Sequence, residues 1–235
     1  MHSFIYDDSY VLELFERMGR SYDLVNWISS FGFSALWRYQ CVQSLSVDHN
    51  ARICDMMSGT GECWPYLLRS GARSITSVDF SAAMVRRQER RRVFGGTAIA
   101  ILRENATATS IPNGCMDGVV SAFGLKTLSS EMSGLFAREI FRILRPRGRF
   151  SLIEISVPQG WMFKRIYQWY ICKVVPLIGR VCLGDIECYR MLGVYTKAFG
   201  RCDKVVGVFR EAGLKVEVRE HFFGCATCLV GERPA

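Results

Sequence analysis

The stretch "ICDMMSGTGECW", Ile53 to Trp64, ends an apolar run in an acid and follows it with Gly-Thr-Gly. A backbone this bare after a strand suits a ligand that approaches the main chain closely. Nucleotide phosphates, dinucleotides and adenosyl cofactors all qualify. A phosphate-gripping loop needs a lysine after its last glycine. Here Glu62 follows Gly61 and would repel a phosphate. The dinucleotide fingerprint needs a third glycine for close helix–strand packing, and position 64 is Trp. S-adenosylmethionine asks for something else: no pyrophosphate cradle, an acid for its ammonium and another for its ribose hydroxyls. Asp55 is placed for the ammonium. Asp79, in "SVDFS", stands 18 residues after Gly61, near the spacing of a ribose acid. Phe80 can pack on the adenine, and the "ENA" run (Glu104, Asn105, Ala106) can read its edge.

The elements that must position these residues are legible as a change of rhythm. "ARICDMM", "SITSVDF", "TAIAILRE", "MDGVVSAFG" and "GRFSLIEIS" are short apolar runs. Between them, "GECWPYLLRS", "SAAMVRRQERRRVF" and "SSEMSGLFAREIFRILRP" carry helical spacing. Buried strands alternating with amphipathic helices predict an α/β fold whose ligands sit at the carboxyl ends of the strands. "KVEVREHFF" and "ATCLVGE" predict a hairpin that closes the sheet with an antiparallel strand. The expectation is a Rossmann-like, mostly parallel seven-stranded sheet with one antiparallel strand, in a single domain over 1–235. Within it, 1–50 is a helical N-terminal cover and 51–158 the cofactor-binding core. A helical substrate-side insert follows over 159–200, and 201–235 supplies the closing helix and strands.

With 235 residues, 49% of them hydrophobic and 22% charged, the chain can bury a sizeable core. A net charge of +8 favours anionic partners, among them nucleic acid and membrane surfaces. Met1–Tyr10 holds two acids and no apolar core, unlike a signal peptide. The stretch "WYICKVVPLIG" (169–179) contains Lys173 and Pro176 and is too short to span a bilayer. A soluble, cytoplasmic protein is expected. The ten cysteines are scattered, and Cys225/Cys228 has no second pair at ligand spacing. Reduced, mostly buried thiols and no metal site are expected. The run "RRQERRR" (86–92) reads as a solvated helix face rather than a nucleic-acid contact.

With these residues placed, the chain resembles the class I S-adenosylmethionine-dependent methyltransferases. More narrowly, it resembles the ubiquinone/menaquinone biosynthesis C-methyltransferase family over nearly its whole length. "YDLVNWISSFGFSALWR" (22–38) is similar to that family's N-terminal signature. "DMMSGTGE", "VDFSAAMV", "SAFGL" and "RILRPRGRFSLIEIS" follow in family order, and "GDIECYRML" (184–192) is similar to its later substrate-side motif. The resemblance implies S-adenosylmethionine as cofactor. It puts Asp55, Gly59 and Gly61 at the methionyl end and Asp79 at the ribose, with Ser58 and, through its backbone, Thr60 as further cofactor-site candidates. Asn105 and Ala106 would take the adenine, Ser121 would stand at the end of the fourth strand, and Tyr22 would come from the cover. Two departures stand out. Met57 and Ser58 precede GTG where the family has small residues, and Lys126 and Thr127 follow "SFG-x" where it has Arg-Asn, the Arg being implicated in deprotonation.

Methylating an aromatic carbon needs an electron-rich ring, a partner for the phenolate and later loss of the ring proton. Lys126, Glu154, His221 and Tyr189 are the candidates for this catalytic work. The aromatic, basic insert "GWMFKRIYQWYICKVVPLIG" can line an apolar pocket, contact a membrane peripherally, or cover the sheet. The expected activity is methyl transfer to a small apolar or aromatic acceptor, most directly C-methylation of a quinol-like compound. Three alternatives stand beside it: a specialised-metabolite C-, N- or O-methyltransferase, a nucleic-acid-binding protein, and a non-catalytic protein that keeps the adenosyl pocket. No Asp/Asn-Pro-Pro-Tyr-like motif supports a nucleic-acid role. A homo-oligomer is compatible with the sequence.

Overall fold

The computed structural model describes residues 4–18, 29–91, 98–160, 162–183 and 186–235. Its centre is a seven-stranded sheet in the order β3-β2-β1-β4-β5-β7-β6. The strands are β1 (Arg52–Met56), β2 (Ser74–Val78), β3 (Ala98–Leu102), β4 (Met116–Ala122), β5 (Leu144–Ile155), β6 (Lys215–His221) and β7 (Ala226–Glu232). β1 and β4 are buried almost throughout because both of their faces are covered: every residue of β1 but the first and of β4 but the last is buried. β7 runs antiparallel to both β5 and β6. The expected antiparallel strand is present, but it lies one place in from the edge: the hairpin folds back so that β6 is outermost. β6 alternates exposed and half-buried positions, as an edge strand does.

The switch point falls between β1 and β4, where the chain leaves β1 toward β2 on one side and finds β4 on the other. Asp55 faces Ser77 on β2 and Val120 on β4 in register, so its carboxylate stands at the crevice.

Helices cover both faces. α1 is Asp8–Met18, α2 Phe33–Leu45, α3 Trp64–Arg69, α4 Ala82–Arg91 and α5 Ser130–Ile143. On one face, α5 turns Phe136, Ile140 and Ile143, at i, i+4 and i+7, into the sheet. There Phe136 and Phe150 both meet Phe209, with ring centroids 6.4 and 5.8 Å apart. Ser129 caps α5 by accepting the Met132 amide at 3.1 Å. The other face is filled by Leu45, Ile53, Trp64, Leu67 and Ile75.

After β5 the chain forms α6 (Lys164–Trp169), a π-helical turn over Tyr170–Val174, α7 (Val175–Leu183) and α8 (Ile186–Phe199), then α9 (Val206–Glu211). α1, α7 and α8 make a core of their own through Val11, Leu14, Val175, Tyr189, Met191 and Tyr195, and Phe80 packs against it. This second core sits over the strand ends, and the Tyr195 hydroxyl anchors it to the Ile5 carbonyl. Among the described residues, no helix is long and apolar enough to cross a membrane.

Candidate active site

Two cavities adjoin above the carboxyl ends of the strands. One, of about 70 Å³, is bordered by Asp55, Ser58, Gly59, Asp79, Phe80, Asn105 and Ala106, all singled out from sequence. The other, of about 220 Å³, is apolar and is bordered by Lys126 and Tyr189 with aromatic residues of α2, α6 and the β6–β7 turn. Phe15, Phe123 and Thr127 border both.

The glycine loop is held from below. Asp79 accepts the Gly59 amide at 2.8 Å and the Ser81 amide at 3.0 Å. Burial pushes its carboxyl up to about 6, against the pull of those two amides. The two glycines do different work. A Cβ on Gly59 (φ +56) would meet nothing within 4 Å, because that side of the residue is open. A Cβ on Gly61 (φ +78) would sit 2.7 Å from the Trp64 ring. Trp64 therefore fills the volume above Gly61, and Gly61, like the buried Thr60, lies beneath the loop rather than on the cavity wall.

Asp55 differs from the other acids that border the polar cavity among the described residues. Both of its carboxylate oxygens are buried without a hydrogen bond of good geometry, the Trp64 indole being the neighbouring side-chain donor. Burial, reinforced by the nearby Asp79 and opposed by Arg38, holds its carboxyl well above the usual carboxylate range. A buried acid this short of donors is costly unless a ligand completes it. An ammonium supplies both the charge and the donors, and this fits the methionyl end of S-adenosylmethionine. The fit extends to Asp79, an acid on the same wall, and to Asn105, whose side-chain oxygen is engaged by Thr107 at 2.9 and 3.1 Å, which fixes the amide in place.

In the apolar cavity Lys126 is not a solvated loop lysine. It is buried on the turn after β4, and its Nζ donates to the Phe123 carbonyl and to Glu154 Oε1 at 3.0 Å. Glu154, fully buried at the end of β5, also accepts the Lys126 amide at 2.9 Å and the Ile155 amide at 2.8 Å. The pair welds the β4 and β5 ends together. Two of the three Nζ hydrogens are committed to these bonds, which leaves one for a ligand. Glu154 thus stands behind Lys126 and not on the cavity wall.

His221 is not on that wall either. It ends β6 beside Cys228, whose thiol is drawn down to about 6 mainly by its bond with Cys41, with His221 contributing. Ser121 is buried at the end of β4 with its hydroxyl unbonded, one residue short of the polar cavity, which Ala122 borders. Tyr22 lies outside the described residues, as do Trp161 and the first two residues of "GDIECYRML".

Sequence reading missed three side chains. Gln88, in the middle of "RRQERRR", is fully buried. Its amide donates to Ser58 Oγ at 2.8 Å and to the Gly59 carbonyl at 2.6 Å, and it accepts from Ser77 at 3.0 Å. Arg91 of the same run donates to the Thr60 carbonyl at 3.0 Å. This run braces the loop on one face and meets solvent on the other. The signal was the lone uncharged amide among arginines. Arg38 of α2 reaches the polar cavity, pairs with Glu62 at 2.5 Å and lies 4.9 Å from the Phe123 ring centroid. Met57 (φ +52) and Phe123 (φ +68) are left-handed at the junction of the cavities. Such strain, on the order of 1–3 kcal/mol per residue, persists where the surroundings enforce it. The Met57 side chain would stand 2.8 Å from a Cβ at Gly124, which explains the glycine of "SAFGL".

The sequence profile of the ubiE/COQ5 methyltransferase family matches residues 4–233. A demethylmenaquinone methyltransferase from Thermus thermophilus is 29% identical over 222 residues, 94% of this chain and 100% of that one. A ubiquinone/menaquinone biosynthesis C-methyltransferase from Geotalea daltonii is 30% identical, over 95% of this chain and 96% of the relative. A solved SAM-dependent methyltransferase from Aquifex aeolicus superposes with a TM-score of 0.60 at 15% identity, covering 90% of this chain and 97% of that one. That likeness concerns the fold.

Proposed function

The chain belongs to the ubiE/COQ5 methyltransferase family, and from that premise we propose that it moves the methyl group of S-adenosylmethionine to a ring carbon of a demethylated, lipophilic quinol. The observation that carries this reading is the pairing of cavities. A polar one holds an unsatisfied acid, and an aromatic-walled apolar one adjoins it across Phe123 and Thr127.

On this reading Asp55 takes the ammonium of the cofactor, Asp79 the ribose hydroxyls, and Asn105 with Ala106 the adenine edge, while Phe80 packs on the ring. Ser58, Thr60 and Gly61 act by shaping the loop. Bound here, S-adenosylmethionine supplies an electrophilic methyl on a sulfonium, with a thioether as leaving group. The protein's own share is positioning and charge. Lys126, held by Glu154, turns its remaining Nζ hydrogen to the phenolate oxygen of the acceptor. That bond stabilises the anion left when the acceptor hydroxyl gives its proton to solvent. The anion's electron density enriches the neighbouring ring carbon, and once the methyl has bonded there the displaced ring proton leaves to solvent as aromaticity returns. A lysine here offers a point charge in place of the planar fork of the family's arginine. Tyr189, buried on the same wall, shapes the acceptor pocket. The whole chain works as one methyltransferase unit, the cover and insert closing over the core. A reducing cytoplasm suits the eight described cysteines, all of them free thiols.

The test uses methyl-labelled S-adenosylmethionine, the purified protein and a demethylated prenyl quinol, with products read by mass spectrometry. Label on a ring carbon is expected. Cofactor binding with no label on the quinol would overturn the acceptor assignment and leave the cofactor assignment in place.

A further inference from the structure

The segment after β5 turns an unusual face to solvent. Met162, Ile166, Trp169, Lys173, Leu177 and Arg180 recur at steps of four, three, four, four and three along α6, the π-helical turn and α7. These steps put them on one side of the element. The opposite side, with Tyr167, Tyr170, Ile171 and Val175, lines the apolar cavity. The four apolar members of the outward stripe are 57–85% exposed. From Ile155 to Gly184 there is no acidic residue, whereas Lys164, Arg165, Lys173 and Arg180 are basic.

The cavity mouth continues this face. Phe31 borders the cavity, stacks on Tyr170 at 5.7 Å and is 78% exposed. Phe222 borders it from the β6–β7 turn, 4.5 Å from the Phe33 ring, and Phe223 beside it is exposed. Phe31, Phe222 and Phe223 are all left-handed, with φ of +49, +44 and +56. Holding a phenylalanine in that conformation costs free energy, and leaving about half or more of each residue in water recovers only part of what full burial would return. Folding alone does not account for three such residues around one opening. Glu220, close to the turn, is engaged by Arg201 at 2.5 Å, so its charge is compensated.

We propose that this face is a docking surface for an anionic lipid bilayer, and that the apolar cavity opens onto the bilayer so that a lipophilic acceptor enters from it. This deepens the function proposed above and rests on it for the acceptor. The partner follows from the chemistry. Exposed Trp, Ile, Leu, Met and Phe insert at the headgroup–acyl boundary, and the acid-free basic set complements anionic headgroups. A second copy of the chain would bring like charge against like.

The test is flotation of the full chain with phosphatidylcholine vesicles, with and without about one third phosphatidylglycerol. The double variant Ile166→Glu/Trp169→Glu is compared with it. Both residues are exposed, so the variant is expected to fold, and its cofactor affinity by calorimetry checks that it has. Wild type should float with the anionic vesicles, and the variant should lose at least about tenfold in partitioning with unchanged cofactor affinity. Turnover of a short-chain, water-soluble quinol should be the same for both, while turnover of a prenyl quinol embedded in vesicles should fall in the variant. Wild type remaining with the soluble fraction, equal flotation of variant and wild type, or a wild-type dimer that the substitutions make monomeric would each overturn the proposal. Vesicle binding without cofactor binding would support the docking surface and overturn the reading of the polar cavity.

Discussion

The two cavities are built on opposite principles. In the polar one, named groups are matched by named partners: Asp79 by two amides, Ser58 by Gln88 and Ser77, Arg38 by Glu62. Among the described residues that border it, Asp55 is the one whose buried side-chain oxygens have no well-formed hydrogen bond. In the apolar one, recognition is by surface, from rings and aliphatic groups with one buried ion pair at the floor. The first arrangement specifies one ligand by where its charges lie. The second specifies a shape and a lack of polarity, and it tolerates variation in the acceptor.

The largest effect expected from breaking this contrast falls on that floor. Lys126→Met strands Glu154 as a buried charge, a loss of about 3–5 kcal/mol by analogy with other buried pairs. Urea denaturation should show it, and adding Glu154→Gln should restore most of it. Turnover should fall further than cofactor affinity. Full activity in Lys126→Met would remove the lysine from the chemistry.

Asp55→Asn tests the polar side. Losing a charge-assisted bond of about 2–3 kcal/mol should weaken cofactor binding roughly 30- to 150-fold by calorimetry. Without ligand, the same variant should be more stable than wild type at neutral pH. The Asp55 carboxyl is raised in the folded protein, so the native state binds the extra proton and stability declines as pH rises through the elevated range. Asparagine removes that decline. A variant that lost both affinity and stability would mean that Asp55 is structural.

A smaller effect separates the second acid. Asp79 titrates at about 6 in the fold against 3.8 unperturbed. Its contribution to stability is therefore fullest below about pH 4 and diminishes toward about pH 6, by about 3 kcal/mol in all. In the Asp55→Asn background, cofactor affinity should rise by up to about tenfold per unit to about pH 6 and then level, as the ionised carboxylate becomes the better ribose acceptor. Asp79→Asn should flatten the curve, whereas a curve unchanged by that substitution would exclude Asp79 from the ribose. The smallest effect belongs to the apolar wall. Tyr170→Phe loses one bond to the Ser29 carbonyl, at 2.8 Å, or about 1 kcal/mol of stability. The acceptor KM should shift a few-fold with cofactor affinity unchanged, and a change in cofactor affinity instead would show that the two cavities are not separable.

The polar cavity was readable in the sequence because its residues lie at strand ends. An apolar run that stops in Asp, or in Asn-Ala, announces both the strand and the loop that leaves it. The alternation of runs gave the parallel sheet for the same reason. What did not read through was position across the chain. β7 slots inside β6 by hairpin geometry, which periodicity does not encode. Gln88 looked solvated because five of its six neighbours in the run are arginines, yet the helix turns it inward. The apolar cavity collects its wall from α2, the turn after β4, α6 to α8 and the hairpin tip, each giving one face of an element whose other face has a different task. His221 shows the converse. Its strand leads to the cavity, and the residue that reaches it is the next one, Phe222.

Glu16 of α1 accepts from Ser81 Oγ at 2.9 Å and from the Ala83 amide at 3.0 Å, so a single carboxylate latches the cover to the turn that carries Asp79. Phe15, one residue earlier, borders both cavities. Unlatching α1 therefore uncovers them together. One displacement of α1 would thus alter the wall of the cofactor side and of the acceptor side at the same moment, so the state of one cavity is mechanically legible to the other.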